Sequence, residues 1–142
     1  MKLRFRHPNK KVQELASVPL FDHVPRRVLE MLAANVDEVR VDAGETLIRE
    51  GHHNDAFWIV MEGQAEMRIG AHKPRLIRAK EFFGATSMLD GRPAIGTVVA
   101  KTPIRAYVAS AEQFRALEAI DTVALRLFHY ALERLREDLG SS

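Results

Sequence analysis

Ala43-Gly44-Glu45-Thr46-Leu47-Ile48-Arg49-Glu50-Gly51 and, after three more residues, Asp55-Ala56-Phe57-Trp58-Ile59-Val60-Met61-Glu62-Gly63-Gln64-Ala65 are the stretch on which the fold turns. Each apolar run is short, rich in β-branched and aromatic residues, and bounded by a turn that contains glycine. Gly44, Gly51 and Gly63 fall at tight corners, where positive φ is cheap only without a side chain. The pattern continues outward. Turn signals recur at Asp42-Ala43-Gly44, Glu50-Gly51, Glu62-Gly63, Ile69-Gly70, Asp90-Gly91-Arg92-Pro93 and Thr102-Pro103. Between them the sequence predicts strands over 39–41, 46–49, 56–61, 64–69, 75–79, 96–100 and 104–109. Many short strands at this spacing predict an antiparallel jelly-roll β-barrel over residues 39–109.

Helical periodicity flanks the barrel. Residues 12–38 read as helical, with Val12, Leu15, Ala16 and Val18 in a first turn. Pro25 then stands near the start of a segment carrying Val28, Leu29, Met31, Leu32 and Val36. After the barrel, Ser110 with Gln113 three residues on is a capping-box signature, opening a helix with Phe114, Leu117 and Ile120 on one face. Asp121 or Thr122 caps a last helix running to about Leu139, before Gly140, so the C-terminal helices occupy 111–139. The whole chain, 1–142, reads as a single domain, mainly β with flanking helices. In the last helix Leu125, Phe128, Leu132, Leu135 and Leu139 make one apolar stripe, broadened by Ala124, Leu127 and Ala131. A homodimer through residues 122–139 is expected, the other option being a helix folded back on the barrel.

Composition narrows the function. The 142 residues include 46% hydrophobic and 28% charged side chains, a net charge of +2 and no cysteine. Disulfides, thiol nucleophiles and cysteine-ligated zinc are therefore excluded. No apolar run is long enough for a membrane span, and the N-terminus lacks the apolar stretch of a secretory signal, so a cytoplasmic protein is expected. Lys2, Arg4, Arg6, Lys10 and Lys11 cluster at the N-terminus and read as a solvated tail or first turn; nucleic acid, an anionic membrane or an acidic partner are the sharper readings. Nucleophile elbows and phosphate-binding glycine loops of nucleotide hydrolases are absent, so no enzyme activity is expected. Glu50, His52, His53 and Asp55 lack metal-ligand spacing, and no metal is expected. Lys73, Arg75, Arg78 and Lys80 form a basic patch, read as solvated or, more sharply, as an anion site or a docking surface for an acidic partner.

The quoted hairpins, followed by Phe82-Phe83-Gly84, Met88-Leu89-Asp90-Gly91-Arg92-Pro93 and Thr97-Val98-Val99-Ala100, resemble the cyclic-nucleotide-binding domain over residues 12–139. The family includes catabolite-activator transcription factors, regulatory subunits of cAMP-dependent kinase and cyclic-nucleotide-gated channels, and the chain looks most like its short stand-alone bacterial members. The resemblance implies a phosphate-binding cassette: a strand ending in Phe-Gly-Glu, a short helix whose amides face the cyclic phosphate, a Glu for the ribose hydroxyl and an Arg for the phosphate. A buried monoanion needs such donors and a fixed guanidinium. Here the Glu position is Ala85 and the Arg position is Ala94. Gly96 stands where Ala is usual, and Lys80 where a Gly opens the loop.

The candidate ligand pocket is therefore Phe83, Gly84, Ala85, Thr86, Ser87, Arg92, Ala94 and Ile95. The resemblance implies a non-enzymatic regulatory or sensor protein with a degenerate cassette, so that cAMP and cGMP bind weakly or not at all and no cofactor is resident. A small-molecule ligand less anionic than cAMP suits the apolar wall. One competing reading is a true cAMP sensor using the amides of Ala85 to Ser87, with Arg92 as a displaced guanidinium across Pro93. Another is a protein-interaction module for an unknown partner. The sequence stops at Ser142 without a helix-turn-helix module, so direct DNA binding is not expected. Trp58 is expected between barrel and helices, and Phe82 and Phe83 on opposite sides of a strand end.

Overall fold

Ala56-Phe57-Trp58-Ile59-Val60-Met61 is apolar without alternation, the mark of a strand covered on both faces. The computed structural model, which describes residues 2–4 and 8–140, bears this out. Among the described residues, nine strands form two antiparallel sheets: β1 (Lys2–Arg4), β2 (Asp37–Val41), β3 (Thr46–Ile48), β4 (Ala56–Glu62), β5 (Ala65–Arg68), β6 (Arg75–Ile77), β7 (Phe82–Phe83), β8 (Thr97–Ala100) and β9 (Ile104–Ser110). One sheet has the order β1-β2-β9-β4-β7, the other β3-β8-β5-β6. In β4, Trp58 and Val60 point between the sheets, to Val39, Val41, Ile77, Phe83, Val98 and Ala106. Phe57, Ile59 and Met61 point outward, onto helices.

Those helices are α1 (Pro8–Ala16), α2 (Arg26–Ala34), α3 (Ala85–Asp90), α4 (Ala111–Glu118) and α5 (Asp121–Gly140), with a 3-10 turn at Pro19–Phe21. Leu15, Phe21, Leu32, Phe114, Leu117, Val123 and Leu127 close the second core layer. The jelly roll with N-terminal helices and a long C-terminal helix is thus as expected. The capping box is present in full: Ser110 Oγ accepts from the Gln113 amide, and the Gln113 side chain accepts from that of Ser110. Gly63 has φ +96°, and a Cβ there would lie 2.2 Å from the Pro103 carbonyl oxygen.

The helical segment differs at both ends. It begins at Pro8 rather than Val12, and Asp37 and Glu38 already belong to β2. Two adjacent carboxylates disguised that strand start, because Glu38 faces inward and is 2% exposed. Its partner is Arg105 on β9, 4% exposed, whose Nη1 lies 3.1 Å from Glu38 Oε1. The same guanidinium holds Glu14 of α1 through Nη1 at 3.1 Å and Nη2 at 2.5 Å, and Glu62 of β4 at 2.9 Å. The Tyr107 hydroxyl donates to Glu14 as well. Burial opposes the charge on Arg105, but its carboxylate partners hold its pKa above the ordinary value. The hydrogen bond from Arg105 keeps the Glu62 carboxyl below its usual range.

The N-terminal basic residues are partly structural. Lys2–Arg4 is a strand paired to β2, not a tail, while Arg6 lies outside the described residues. Lys11 Nζ donates to the carbonyls of Ala33 and Val36, at 2.7 and 2.6 Å, tying α1 to the end of α2. Burial lowers the Lys11 pKa against the pull of Asp37 and Glu38.

Two stability predictions follow from these contacts. Arg105→Met strands buried carboxylates and is expected to cost about 3–5 kcal/mol in urea unfolding; an unchanged midpoint would show the network to be dispensable. Lys80 stands at φ +71°, where its backbone N–H donates a hydrogen bond to the Val60 carbonyl at 2.6 Å. Relief of left-handed strain outweighs the added chain entropy, so Lys80→Gly is expected to stabilise by about 0.5–1 kcal/mol in the same assay.

Candidate ligand cleft

Gly84 is the hinge of the site. It follows β7, adopts φ +94° and precedes α3 directly. A Cβ on it would stand 2.6 Å from the Ala56 carbonyl oxygen, so the turn cannot carry a side chain without moving β4. Asn54 fixes the same turn from the other side. Its amide donates to the Gly84 carbonyl at 3.1 Å and to Ser87 Oγ at 3.0 Å, while its Oδ1 accepts from the Ala56 amide at 3.1 Å. Asn54 was not singled out from the sequence; an Asn two residues before a strand start, bonding its own chain two residues on, is the signal that was there to use. At the far end of α3, Gly91 has φ +70° and donates to the Ser87 carbonyl.

The predicted pocket residues separate into three groups. Phe83, Gly84, Ala85, Thr86 and Ile95 line one lobe of a cleft, and Gly84, Thr86, Ser87, Ala94 and Ile95 line its neighbour. Ala85 and Ala94 are buried, at 3% and 7% exposure, so both positions matched to charged ligand contacts carry methyl groups packed into the core. Ala85 joins the helix-side layer and Ala94 the layer between the sheets. Arg92 lines neither lobe: its backbone amide is bonded to Asp90 Oδ1 in an exposed turn. The backbone of Ala94 is pinned to the Gly51-His52 corner, donating to the His52 carbonyl at 2.9 Å and accepting from Gly51 at 2.8 Å. A Cβ on Gly96 would come within 2.6 Å of the Arg68 carbonyl oxygen, which explains glycine at that position.

The aromatic side chains partition by strand alternation. Phe82 packs on Phe57 and on Tyr130 of α5, and Phe83 stacks on Trp58 with planes 11° apart. Phe82 and Phe83 do face opposite sides. Trp58, expected between barrel and helices, instead lies between the two sheets, because Phe57 is the residue whose parity faces the helices. His53 Nε2 lies 2.7 Å from Asp55 Oδ1 at the exposed corner.

Helix α5 closes the first lobe. Val123 and Leu127 are fully buried, and Tyr130 and Arg134 continue that face over the cleft. Arg134 stands 4.7 Å above the Tyr130 ring, and burial raises the Tyr130 pKa. Arg75, from the basic patch on β6, reaches the same lobe, while Lys73, Arg78 and Lys80 stay exposed. Sequence reasoning missed Tyr130 and Arg134, although 123, 127, 130 and 134 repeat at helical spacing. The stripe identified instead is the outward face: Leu125, Phe128 and Leu132 are 64%, 61% and 51% exposed, and the side chains of Leu135 and Leu139 lie outside those described. Leu127 belongs to the buried face and does not broaden that stripe. No described helix is long and apolar enough to cross a membrane.

Residues 38–121 match the family model described as the cyclic nucleotide-binding domain. A cAMP-dependent protein kinase regulatory subunit of Aspergillus fumigatus is 31% identical over 105 residues, covering 72% of this chain and 25% of the relative. The chain spans about a quarter of the length of this and similar fungal kinase regulatory subunits. Among solved structures, the regulatory domain of Toxoplasma gondii PKA with cAMP superposes with a TM-score of 0.80 at 21% identity, over 89% of this chain and 50% of the other. The regulatory subunit of a cAMP-independent protein kinase A from Trypanosoma brucei superposes with a TM-score of 0.76 at 19% identity, over 89% and 49%.

Proposed function

The chain belongs to the cyclic nucleotide-binding domain family, and on that premise we propose that it is a non-enzymatic regulatory domain in which recognition of cAMP and cGMP is weak or lost. The observation that carries the reading is the burial of Ala85 and Ala94 at the two cassette positions where charged contacts would stand. A hydrogen bond to a charged group contributes about 1.5–3 kcal/mol. Losing two removes about two to four orders of magnitude in affinity. Arg92 offers no substitute from its exposed turn. The same fold occurs in the regulatory subunit of a cAMP-independent protein kinase A, which supports the idea that the architecture persists where cAMP is not the signal.

A ligand that binds only the folded state raises the unfolding midpoint. About 5 mM cAMP or cGMP is expected to leave the midpoint of the wild-type chain unchanged. Ala85→Glu combined with Ala94→Arg places charges at two buried positions and lowers the ligand-free midpoint, and cAMP is expected to raise that lowered midpoint, since the pair supplies an acceptor and a guanidinium for it. A clear shift of the wild-type midpoint would sink the reading.

The domain is further proposed to pair with a second copy through residues 122–139. Leu125, Phe128 and Leu132 lie at i, i+3 and i+7 on the outward face of a 20-residue helix, the spacing of a coiled-coil seam. Phe128→Glu is expected to convert a dimer to a monomer in sedimentation equilibrium without lowering the unfolding midpoint. A wild-type chain that sediments as a monomer would refute the pairing.

A further inference from the structure

An open sheet has two edges, and one edge here is marked by charge. β6 is the last strand of the order β3-β8-β5-β6; it pairs with β5 on one side, and no described strand pairs its other side. Arg75 and Ile77 turn inward to the cleft, which leaves Leu76 on the outer face, 36% exposed. The unpaired backbone groups of an edge are a template for a further strand, and edges are ordinarily protected by charge or by proline. β6 has both: Pro74 precedes it directly, Lys73 stands before the proline, and Arg78 follows the strand.

Lys73, Arg78 and Lys80 are exposed, and their side chains have no ion-pair partner among the described residues. The nearby carboxylates are already engaged. Glu66, directly across from Leu76 on β5, lies 2.9 Å from Arg68 and 3.8 Å from Lys101, and Glu81 accepts from the Arg78 amide at 2.6 Å. Residues 65–81 hold five lysines and arginines against two carboxylates. Pairing β6 with the same edge of a second copy would set these cations beside their counterparts across a strand spacing of about 4.8 Å, inside the screening length of about 8 Å at physiological salt. A second copy is therefore repelled. An extended segment bearing carboxylates meets the opposite field.

We propose that the outer edge of β6 is a docking site for an extended acidic segment of another protein, which adds to the sheet as a strand. The backbone of residues 75–77 supplies the hydrogen bonds, while an apolar side chain of the segment packs beside Leu76 and its carboxylates reach Lys73 and Arg78. Those two cations are separated by about 16 Å of extended chain, so a segment of about six residues spans them. This site lies outside the cassette and holds whether or not the cleft takes a nucleotide.

The test is fluorescence anisotropy with a labelled peptide that alternates glutamate and valine. Three probes are set beside it: a lysine–valine peptide, the acidic peptide N-methylated throughout so that it keeps its charges but has no backbone donor, and a short oligothymidylate. The acidic peptide is expected to bind one per chain, at least about ten-fold more tightly than its N-methylated form and more weakly as salt is raised. The lysine–valine peptide is expected not to bind. Lys73→Glu with Arg78→Glu, both at exposed positions, is expected to weaken the acidic peptide by about ten-fold or more. Saturation with the acidic peptide is also expected to slow amide hydrogen exchange over residues 75–77. Equal affinity for the N-methylated peptide, or oligothymidylate binding as tight and lost in the same double variant, would make the patch a general anion surface and overturn the proposal. Peptide binding that survives the double variant, or that leaves exchange in β6 unchanged, would overturn it as well.

Discussion

The guanidinium of Arg105 is the point through which the layers of this domain are registered. It reaches α1 through Glu14, β2 through Glu38 and β4 through Glu62, joining segments far apart in the chain. Three carboxylates around one buried cation would be a costly arrangement alone. Arg40 draws on Glu62 and Lys11 on Glu38, so further positive charge stands nearby. Such a network is weak evidence for net stability, since an apolar replacement of equal volume often does as well. Its geometric effect is firmer. Strand register has period two, and a one-residue slip of β2 would drive Glu38 out of reach of Arg105 and bring a neighbour of the wrong parity inward. The Tyr107 hydroxyl and the Lys11 ammonium then hold α1 where Glu14 can complete the set.

Fixing β2 and β9 fixes β4, and β4 is what allows a domain of this size to have two cores. Phe57, Ile59 and Met61 build the layer under the helices, while Trp58 and Val60 build the one between the sheets. β7 pairs with β4 at Trp58 and Ile59 and ends one residue before Gly84. The position of the turn at Gly84 is thus set by strand pairing and by Asn54. Burying Ala85 and Ala94 fits this preformed turn, since methyl groups ask for no counter-ion in either layer.

The barrel was legible in the sequence because glycine corners and short β-branched runs are local signals. So were the capping box at Ser110 and the alternation of Phe82 and Phe83. The start of β2 was not, because a buried Glu38 looks in sequence like a solvated one; only its partner 67 residues away distinguishes them. Lys2–Arg4 was unreadable for a related reason: an edge strand of three residues is defined by what it pairs with. At the site, Ala85 and Ala94 were found by matching a motif, and the fold buries both. Arg75 was seen as one cation of four. Nothing local marks it as the one turned toward the cleft, since strand parity and the reach of α5 decide that together.

Helix α5 therefore has two faces with separate demands. Its inner face needs Val123 and Leu127 against the helical core and Tyr130 and Arg134 over the cleft, while its outer face carries Leu125, Phe128 and Leu132. Apolar burial holds the N-terminal half of the helix firmly, as Leu127 and Val123 are wholly enclosed. Among the described side chains, the C-terminal half meets the barrel through ion pairs that include Arg75, Glu81, Arg134 and Glu137 and through the contact of Tyr130 with Phe82. Ion pairs at these distances and partial exposure contribute little compared with enclosed leucine. Among the described side chains, the half of α5 that faces the cleft thus meets the barrel through charged and aromatic groups, whereas its N-terminal half is enclosed by the apolar core.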